Sequence, residues 1–200
     1  MSFFDEIYRA RGQARAPWEI DAPQPEIVAL EHQGAFVSPV LDVGCGSGEN
    51  ALYLASRGFE VVGVDIAPAA IALAERKAEE RGLEVPFLAL DALELPRLGR
   101  RFPTAVDSGL FHVFSDEGRP RFADALASVV EEGGTYLMIC FSEHQPGVWG
   151  PRRVTQAEIR GTFSQGWRVA SIRPATFLVR LDPPDVRAWL ARIVRVGEGT

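Results

Sequence analysis

Three glycines alternate in Leu41-Asp42-Val43-Gly44-Cys45-Gly46-Ser47-Gly48, directly after an apolar run that starts at Val40. Glycine tolerates positive φ and lets a ligand lie against bare backbone, and the carboxyl end of a strand in an open α/β sheet is where such ligands bind. Carboxylates surround this loop in chain order. Asp42 precedes it, and Asp65 ends the next apolar run about 20 residues on, the place from which a carboxylate grips ribose hydroxyls. Asp91 and Asp107 follow two further apolar runs. Any one of the four could simply cap a turn, but four in register point to one shared site. A dinucleotide loop has the pattern G-x-G-x-x-G, and here the third glycine comes one residue early. Asp42 also suits a ligand that carries an ammonium and a sulfonium better than a diphosphate, because carboxylate beside phosphate is repulsive in a desolvated cleft.

Such a site needs strands that end together, and the chain alternates accordingly. Ser2 is placed to cap a short helix running to about Arg11, with Phe3, Phe4 and Ile7 at helical spacing, and a second helix spans 25–33. Strands are expected at 40–43, 60–66, 85–90, 104–110 and 135–141. Helices are expected at 49–57, closed by Gly58, at 68–81, with Pro68 in the first turn and Gly82 after the end, and at 116–130. Residues 97–101 read as a polar connection and Glu132-Gly133-Gly134 as a turn. A loop at 142–153 leads to a helix from Thr155, with Glu158 completing a capping box. Two long strands, 167–181 and 186–196, are joined by Asp182-Pro183-Pro184-Asp185, too short for anything but an antiparallel pair. The expected fold is therefore α/β, doubly wound and Rossmann-like, with a seven-stranded, mostly parallel sheet ending in an antiparallel hairpin. We read residues 1–200 as a single domain in which 1–34 form a helical lid.

The glycine loop with its acidic partners resembles motif I of class I S-adenosylmethionine-dependent methyltransferases, and the similarity continues through the later strands. The resemblance implies that Gly44, Cys45 and Gly46 line the methionine and ribose portion, with Asn50 beside them. It implies that Asp65 holds both ribose hydroxyls, that Ile66 lies beside adenine, and that Asp91 meets the adenine amino group flanked by Ala92 and Leu93. Asp107 and Ser108 would lie near the reacting sulfonium. Pro17-Trp18-Glu19-Ile20-Asp21, followed by Pro23-Gln24-Pro25, looks like the entry segment of the thiopurine-methyltransferase-like branch, in which Trp18 would cover the cofactor. Ser2-Phe3-Phe4-Asp5-Glu6, the 109–114 segment and the 145–154 segment are similar to small actinobacterial enzymes that methylate heterocyclic toxins such as hydroxyquinolones. That narrower similarity spans nearly the whole chain.

For a methyl transfer, alignment and desolvation supply much of the acceleration, and a base helps only where the acceptor must lose a proton. His112 follows the fourth strand at the mouth of the cleft and is the candidate base, against the alternative of a packed, hydrogen-bonded rim residue. His144 is a weaker candidate for the acceptor side, and His32 has none of this context. Phe4, Tyr8 and Phe111 are candidates to enclose the acceptor, with core packing as the alternative. Trp149 and Arg153 either shape the pocket or hold their loop down over the sheet.

Bulk properties narrow the partners. The formal net charge of -6 argues against a phosphate-reading surface, which leaves a small-molecule methyl acceptor and no nucleic acid. Lys77 is the only lysine, a bias without an evident role in the sequence. Cys45 and Cys140 suggest neither a disulfide framework nor a metal site. No export signal or membrane span is apparent, so a cytoplasmic monomer or weak homodimer is expected. The competing readings are an NAD(P)-dependent oxidoreductase, disfavoured by the loop, and a module that binds S-adenosylmethionine or a metabolite without turning it over.

Overall fold

The computed structural model describes residues 3–9 and 16–197; the expected Ser2 cap and the end of the first helix near Arg11 lie outside the described residues. Among the described residues, six α-helices and seven strands follow in the order α1 (Phe3–Arg9), α2 (Pro25–His32), β1 (Val40–Val43), α3 (Glu49–Ser56), β2 (Val61–Asp65), α4 (Pro68–Arg81), β3 (Phe87–Ala89), β4 (Phe102–Ser108), α5 (Gly118–Val129), β5 (Val130–Phe141), α6 (Gln156–Thr162), β6 (Trp167–Leu178) and β7 (Asp185–Arg195). The strands form one sheet in the order β3-β2-β1-β4-β5-β7-β6. β1 to β5 pair in parallel, whereas β7 runs antiparallel to both β5 and β6.

The local devices act as their residue types dictate. Pro68 occupies the first turn of α4, where a missing N–H costs nothing, and Gly82 closes that helix at φ +63 while the N–H of Leu83 returns to the Ala78 carbonyl at 2.9 Å. Thr155 accepts from the Glu158 N–H at 3.1 Å while its own N–H donates to the Glu158 carboxylate at 2.7 Å, the expected reciprocal cap of α6. β1 is buried along its whole length, as a parallel strand covered on both faces must be. Alternation along β5 separates the two cores. Tyr136, Met138 and Cys140 pack with α5 and α6, and Leu137, Ile139 and Phe141 pack with α2 and α3.

The turn expected at 132–134 is instead part of β5. Phe102 pairs with Val130 and Thr104 with Thr135, so the extra residues bulge out of the ladder. A Cβ on Gly134 would come within 3.0 Å of the Pro103 carbonyl, which explains why the bulge needs glycine. The polar connection also starts earlier than expected, because Asp91 accepts from the Leu93 N–H at 2.9 Å and caps a 3-10 turn over Ala92–Leu98. No helix among the described residues is long and apolar enough to cross a membrane.

Since β1, β2, β4 and β5 are parallel, their carboxyl ends share one edge of the sheet. The strand order reverses between β1 and β4, and the crevice outside that point is where open α/β sheets hold ligands.

Candidate functional site

At this crevice lies a cleft of about 1140 Å³, just above the ~300–1,000 Å³ usual for small-molecule sites and large enough for two ligands side by side. One wall is the glycine loop. Gly44, Gly46 and Gly48 all have positive φ. A Cβ on Gly46 would sit 2.7 Å from the Tyr8 hydroxyl, and one on Gly44 would sit 2.9 Å from Leu110 Cβ. The loop is thus sandwiched between the N-terminal segment and the turn that follows β4, with no space for side chains.

Asp65 ends β2 on the cleft. Its carboxylate accepts from the N–H of Gly46 and the N–H of Ala67, both at 2.9 Å, which ties the glycine loop to the start of α4. Burial pushes its pKa above the usual carboxylate range against those two hydrogen bonds. Ile66 beside it is 44% exposed, an apolar surface facing the cleft. Leu90, Asp91, Ala92 and Leu93 continue this wall. Acids dominate the cleft at this end: Glu19, Glu49, Asp65 and Asp91 line it, and the single basic side chain on the cleft wall near the opposite end is Arg152. A cationic ligand fits such a wall and a diphosphate does not.

The N-terminal segment forms the facing wall through Phe4, Tyr8 and Trp18. Trp18 Nε1 donates to the Tyr8 hydroxyl at 3.0 Å, and that hydroxyl donates to Glu19 Oε1 at 2.9 Å. The other Glu19 oxygen accepts from the Ser47 hydroxyl, which in turn accepts from Lys77 Nζ at 2.6 Å. Lys77 also lies 2.8 Å from Glu49 and 3.7 Å from Glu19. The only lysine in the chain is therefore buried between two carboxylates, beneath the glycine loop, a placement that composition alone does not reveal. Asn50 joins the same strap by accepting from the Gln24 N–H at 2.9 Å, and the Gln24 side chain pairs in both directions with the Leu178 backbone.

The far end is aromatic. His112, Phe141, Trp149 and Phe177 converge there, with ring centroids of His112 and Phe141 4.9 Å apart and those of Phe141 and Phe177 5.5 Å apart. The N–H of Phe141 donates to His112 Nδ1 at 3.1 Å.

Among known proteins, the methyltransferase domain family matches residues 40–134. The chain is 40% identical over 186 residues to 2-heptyl-1-hydroxyquinolin-4(1H)-one methyltransferase of Mycobacteroides abscessus, covering 90% of this chain and 82% of that protein. This chain belongs to the S-adenosylmethionine-dependent methyltransferases. A protein solved in work on the conversion of a disulfide bond into a thioacetal group during echinomycin biosynthesis superposes on this methyltransferase with a TM-score of 0.86 at 36% identity, over 96% of this chain and 91% of the other. An S-adenosylmethionine-dependent methyltransferase of Anabaena variabilis shares the fold, with a TM-score of 0.80 at 17% identity over 96% and 93% of the two chains. The methyltransferase acts on a small molecule with S-adenosylmethionine as cofactor, and its cleft suits that cation: bare glycine backbone, strand-end carboxylates and an acidic wall.

Of the residues singled out from sequence, Trp18, Gly44, Cys45, Gly46, Asn50, Asp65, Ile66, Asp91, Ala92, Leu93, Ser108, Phe4, Tyr8, His112 and Trp149 all line this one cleft. Five do not. Asp107 is fully buried and accepts from the N–H groups of Leu110 and Phe111 and from the Tyr136 hydroxyl, at 2.6, 2.8 and 2.8 Å, so it shapes the turn after β4 rather than facing a ligand. Asp42 is sealed behind the loop, where burial pushes its carboxyl up to about 7, the charges of Asp107 and Asp65 add to that, and a hydrogen bond from the Ala51 N–H opposes it. Phe111 lies in the core against Phe122 and Phe163. His144 stacks edge-on to Trp189. The Arg153 guanidinium donates to the carbonyls of Gln145, Pro146, Gly147, Trp149 and Pro151, which favours the loop-holding alternative for that residue.

The expectation of a histidine base also needs correction. Burial first, and then the charges of Arg153 and Arg119, push the His112 conjugate acid down to about 3. A neutral imidazole whose Nδ1 already accepts a backbone N–H has its own proton on Nε2, and so offers a donor rather than a lone pair. Sequence reasoning did not single out Glu19, Ser47, Lys77, Phe141 or Phe177 for the site; the unique lysine was the one available signal.

Proposed function

We propose that this methyltransferase methylates an oxygen or nitrogen of a heterocyclic or aromatic compound, as the Mycobacteroides abscessus relative does on a hydroxyquinolone by its name. The observation that carries the reading is the division of one cleft into an acidic, glycine-walled end and an aromatic end around His112. When bound, S-adenosylmethionine supplies a methyl group on a positively charged sulfur. Gly44, Cys45 and Gly46 would lie along its methionine and ribose, Asp65 would accept from the ribose hydroxyls, and Ile66, Asp91, Ala92 and Leu93 would surround adenine. Ser108, the last residue of β4, lines the same cleft and would lie near the reacting sulfonium. Trp18, braced by Tyr8, would cover the cofactor, which supports placing the chain in the thiopurine-methyltransferase-like branch. Phe4, Tyr8 and Trp149 would enclose the acceptor and exclude water, so that a bound acceptor is held aligned and desolvated.

The same reading takes residues 1–200 as one domain with a helical lid over 1–34, working as a cytoplasmic monomer or weak homodimer without nucleic-acid or membrane partners. The acidic balance of the chain supports the absence of a nucleic-acid partner. Calorimetric titration with S-adenosylmethionine, followed by mass spectrometry after incubation with a panel of hydroxylated heterocycles, tests the proposal. Micromolar cofactor binding and products heavier by one methylene unit are expected. Cofactor binding with no product across the panel would turn the chain into a binding module, and no cofactor binding would remove the basis of the whole reading.

A further inference from the structure

The acceptor end of the cleft contains a hydrogen-bond donor where a base is expected, and its charges are arranged opposite to those of the cofactor end. His112 Nδ1 is taken by the Phe141 N–H at 3.1 Å. Nε2 is not among the sealed, unpartnered polar atoms and has no protein partner among the described residues, so it opens into the cleft that His112 lines. The ring is wedged between Phe141 and Phe177, with centroids at 4.9 and 6.4 Å, and its Cε1 would lie 3.6 Å from a Cβ on Gly109. It can neither flip freely nor exchange its Nδ1 partner without losing a buried backbone hydrogen bond.

The cations whose charge acts on His112 are Arg119 on α5 and Arg153 on the loop after β5, while Asp107 of β4 accepts from the N–H groups of Leu110 and Phe111 just before it and is pushed by burial up to about 7. Phe141 and Phe177, from β5 and β6, bring no charge. Arg119 is paired with Glu158, and Arg152 with Asp116 and Glu158. Arg153 has no carboxylate partner among the described residues: its guanidinium is held by carbonyl oxygens and lies 5.4 Å from the Phe141 ring centroid. A fixed, half-buried cation of this kind favours an anion close by and disfavours a second cation.

We propose that His112 is an Nε2–H donor that selects acceptors entering as oxyanions: aryl, enol or N-hydroxy heteroaryl hydroxyls acidic enough to be ionised at neutral pH. This rests on the reading of the cleft as a heteroaryl methyl-transfer site and narrows it to one protonation state. An oxyanion that takes a methyl group from a sulfonium gives a neutral ether and a neutral thioether with no proton left over, so the chain needs no base. His112 then positions the acceptor, with its Nε2–H on the reacting oxygen or on a conjugated oxygen of the same anion, and the aromatic walls fix the ring plane. A hydroxyl that stays protonated at neutral pH binds without this match.

Two measurements test the assignment. Long-range proton–nitrogen-15 spectra of the wild-type imidazoles between pH 5 and 9 are expected to show His112 neutral and protonated on Nε2 throughout; an Nδ1–H form, or a titration within that range, would overturn it. Absorbance titration with 4-nitrophenol in the presence of S-adenosylhomocysteine reads the protonation state of a bound acceptor directly. The bound phenol is expected to ionise about one pH unit below the free one. His112→Gln, which keeps a donor near Nε2, is expected to preserve most of that shift, whereas His112→Leu abolishes it and weakens nitrophenolate binding about tenfold. A bound phenol that stays neutral in the wild type overturns the proposal. Cofactor titration of each variant separates misfolding from lost selection. A wild type that holds nitrophenolate as proposed yet forms no methylated product across the panel would leave the donor assignment standing and defeat the methyl-transfer reading instead.

Discussion

Asp65 concentrates the residue-scale argument because one carboxylate serves both architecture and ligand. It holds the Gly46 and Ala67 N–H groups while facing the cleft, and a hydrogen bond to a charged acceptor contributes about 1.5–3 kcal/mol. Asp65→Ala is therefore expected to weaken S-adenosylmethionine binding by roughly 10- to 100-fold or more in calorimetry. Asp91→Ala should cost less, since Asp91 caps a single N–H, that of Leu93, and does not anchor the glycine loop. The reverse ranking would mean that the adenine end, not the ribose end, fixes the cofactor. Four acidic residues in register are legible in the sequence, but which of them face outward is not. Asp65 and Asp91 face the cleft from the last residue of β2 and the turn beyond β3, whereas Asp42 and Asp107 lie one residue inside the ends of β1 and β4 and are sealed by the segments that follow.

At the scale of elements, two segments close the cleft and each is pinned by a different device. The N-terminal strap is fastened through Glu19, Ser47 and Lys77 to α4 and through Gln24 to β6. The loop after β5 is wound around Arg153, whose planar fork satisfies five carbonyls that would otherwise need water. Lysine has three donors on a flexible stem and cannot reproduce that geometry. Arg153→Lys is expected to raise the KM for the acceptor by about tenfold, with cofactor affinity unchanged, and to speed limited proteolysis within 145–151. An unchanged KM alongside faster proteolysis would show that the loop does not border the acceptor. The sequence offers this loop as turn formers with Arg153 as one possible fastening, but not which carbonyls the guanidinium gathers, because those depend on the loop's folded path.

The whole molecule carries a pH dependence that stems from its buried acids. Asp42 is 1% exposed with one carboxylate oxygen unpartnered, and its pKa rises from 3.8 to about 7. The folded state then binds more protons than the unfolded chain between those values, so stability falls as pH rises through that window and stays low above it. A rise of this size corresponds to at most ~4 kcal/mol. Asp42→Asn removes the titration while keeping an oxygen for the Ala51 N–H. The variant is expected to melt roughly 5 °C above wild type at pH 8, with the gap closing below pH 4. A gap that persists at low pH would assign the effect to packing instead of charge.

The sequence by itself determined the alternation of strands and helices, the glycine loop with its acidic neighbours, the helix caps at Pro68, Gly82 and Thr155, and the terminal hairpin. These are written in periodicity and in short-range steric and hydrogen-bonding rules, which act within a few residues. The tertiary structure alone decided that β7 inserts between β5 and β6, that Gly133 and Gly134 form a bulge, that Lys77 lies buried beneath the loop, and that His112 offers a proton instead of a lone pair. Each of these depends on a partner far along the chain: the Phe141 N–H lies 29 residues beyond His112 and the Ser47 hydroxyl 30 residues before Lys77. Residue type sets which hydrogen bonds a side chain can make, but the protonation state it adopts is fixed only when folding brings that distant partner into place.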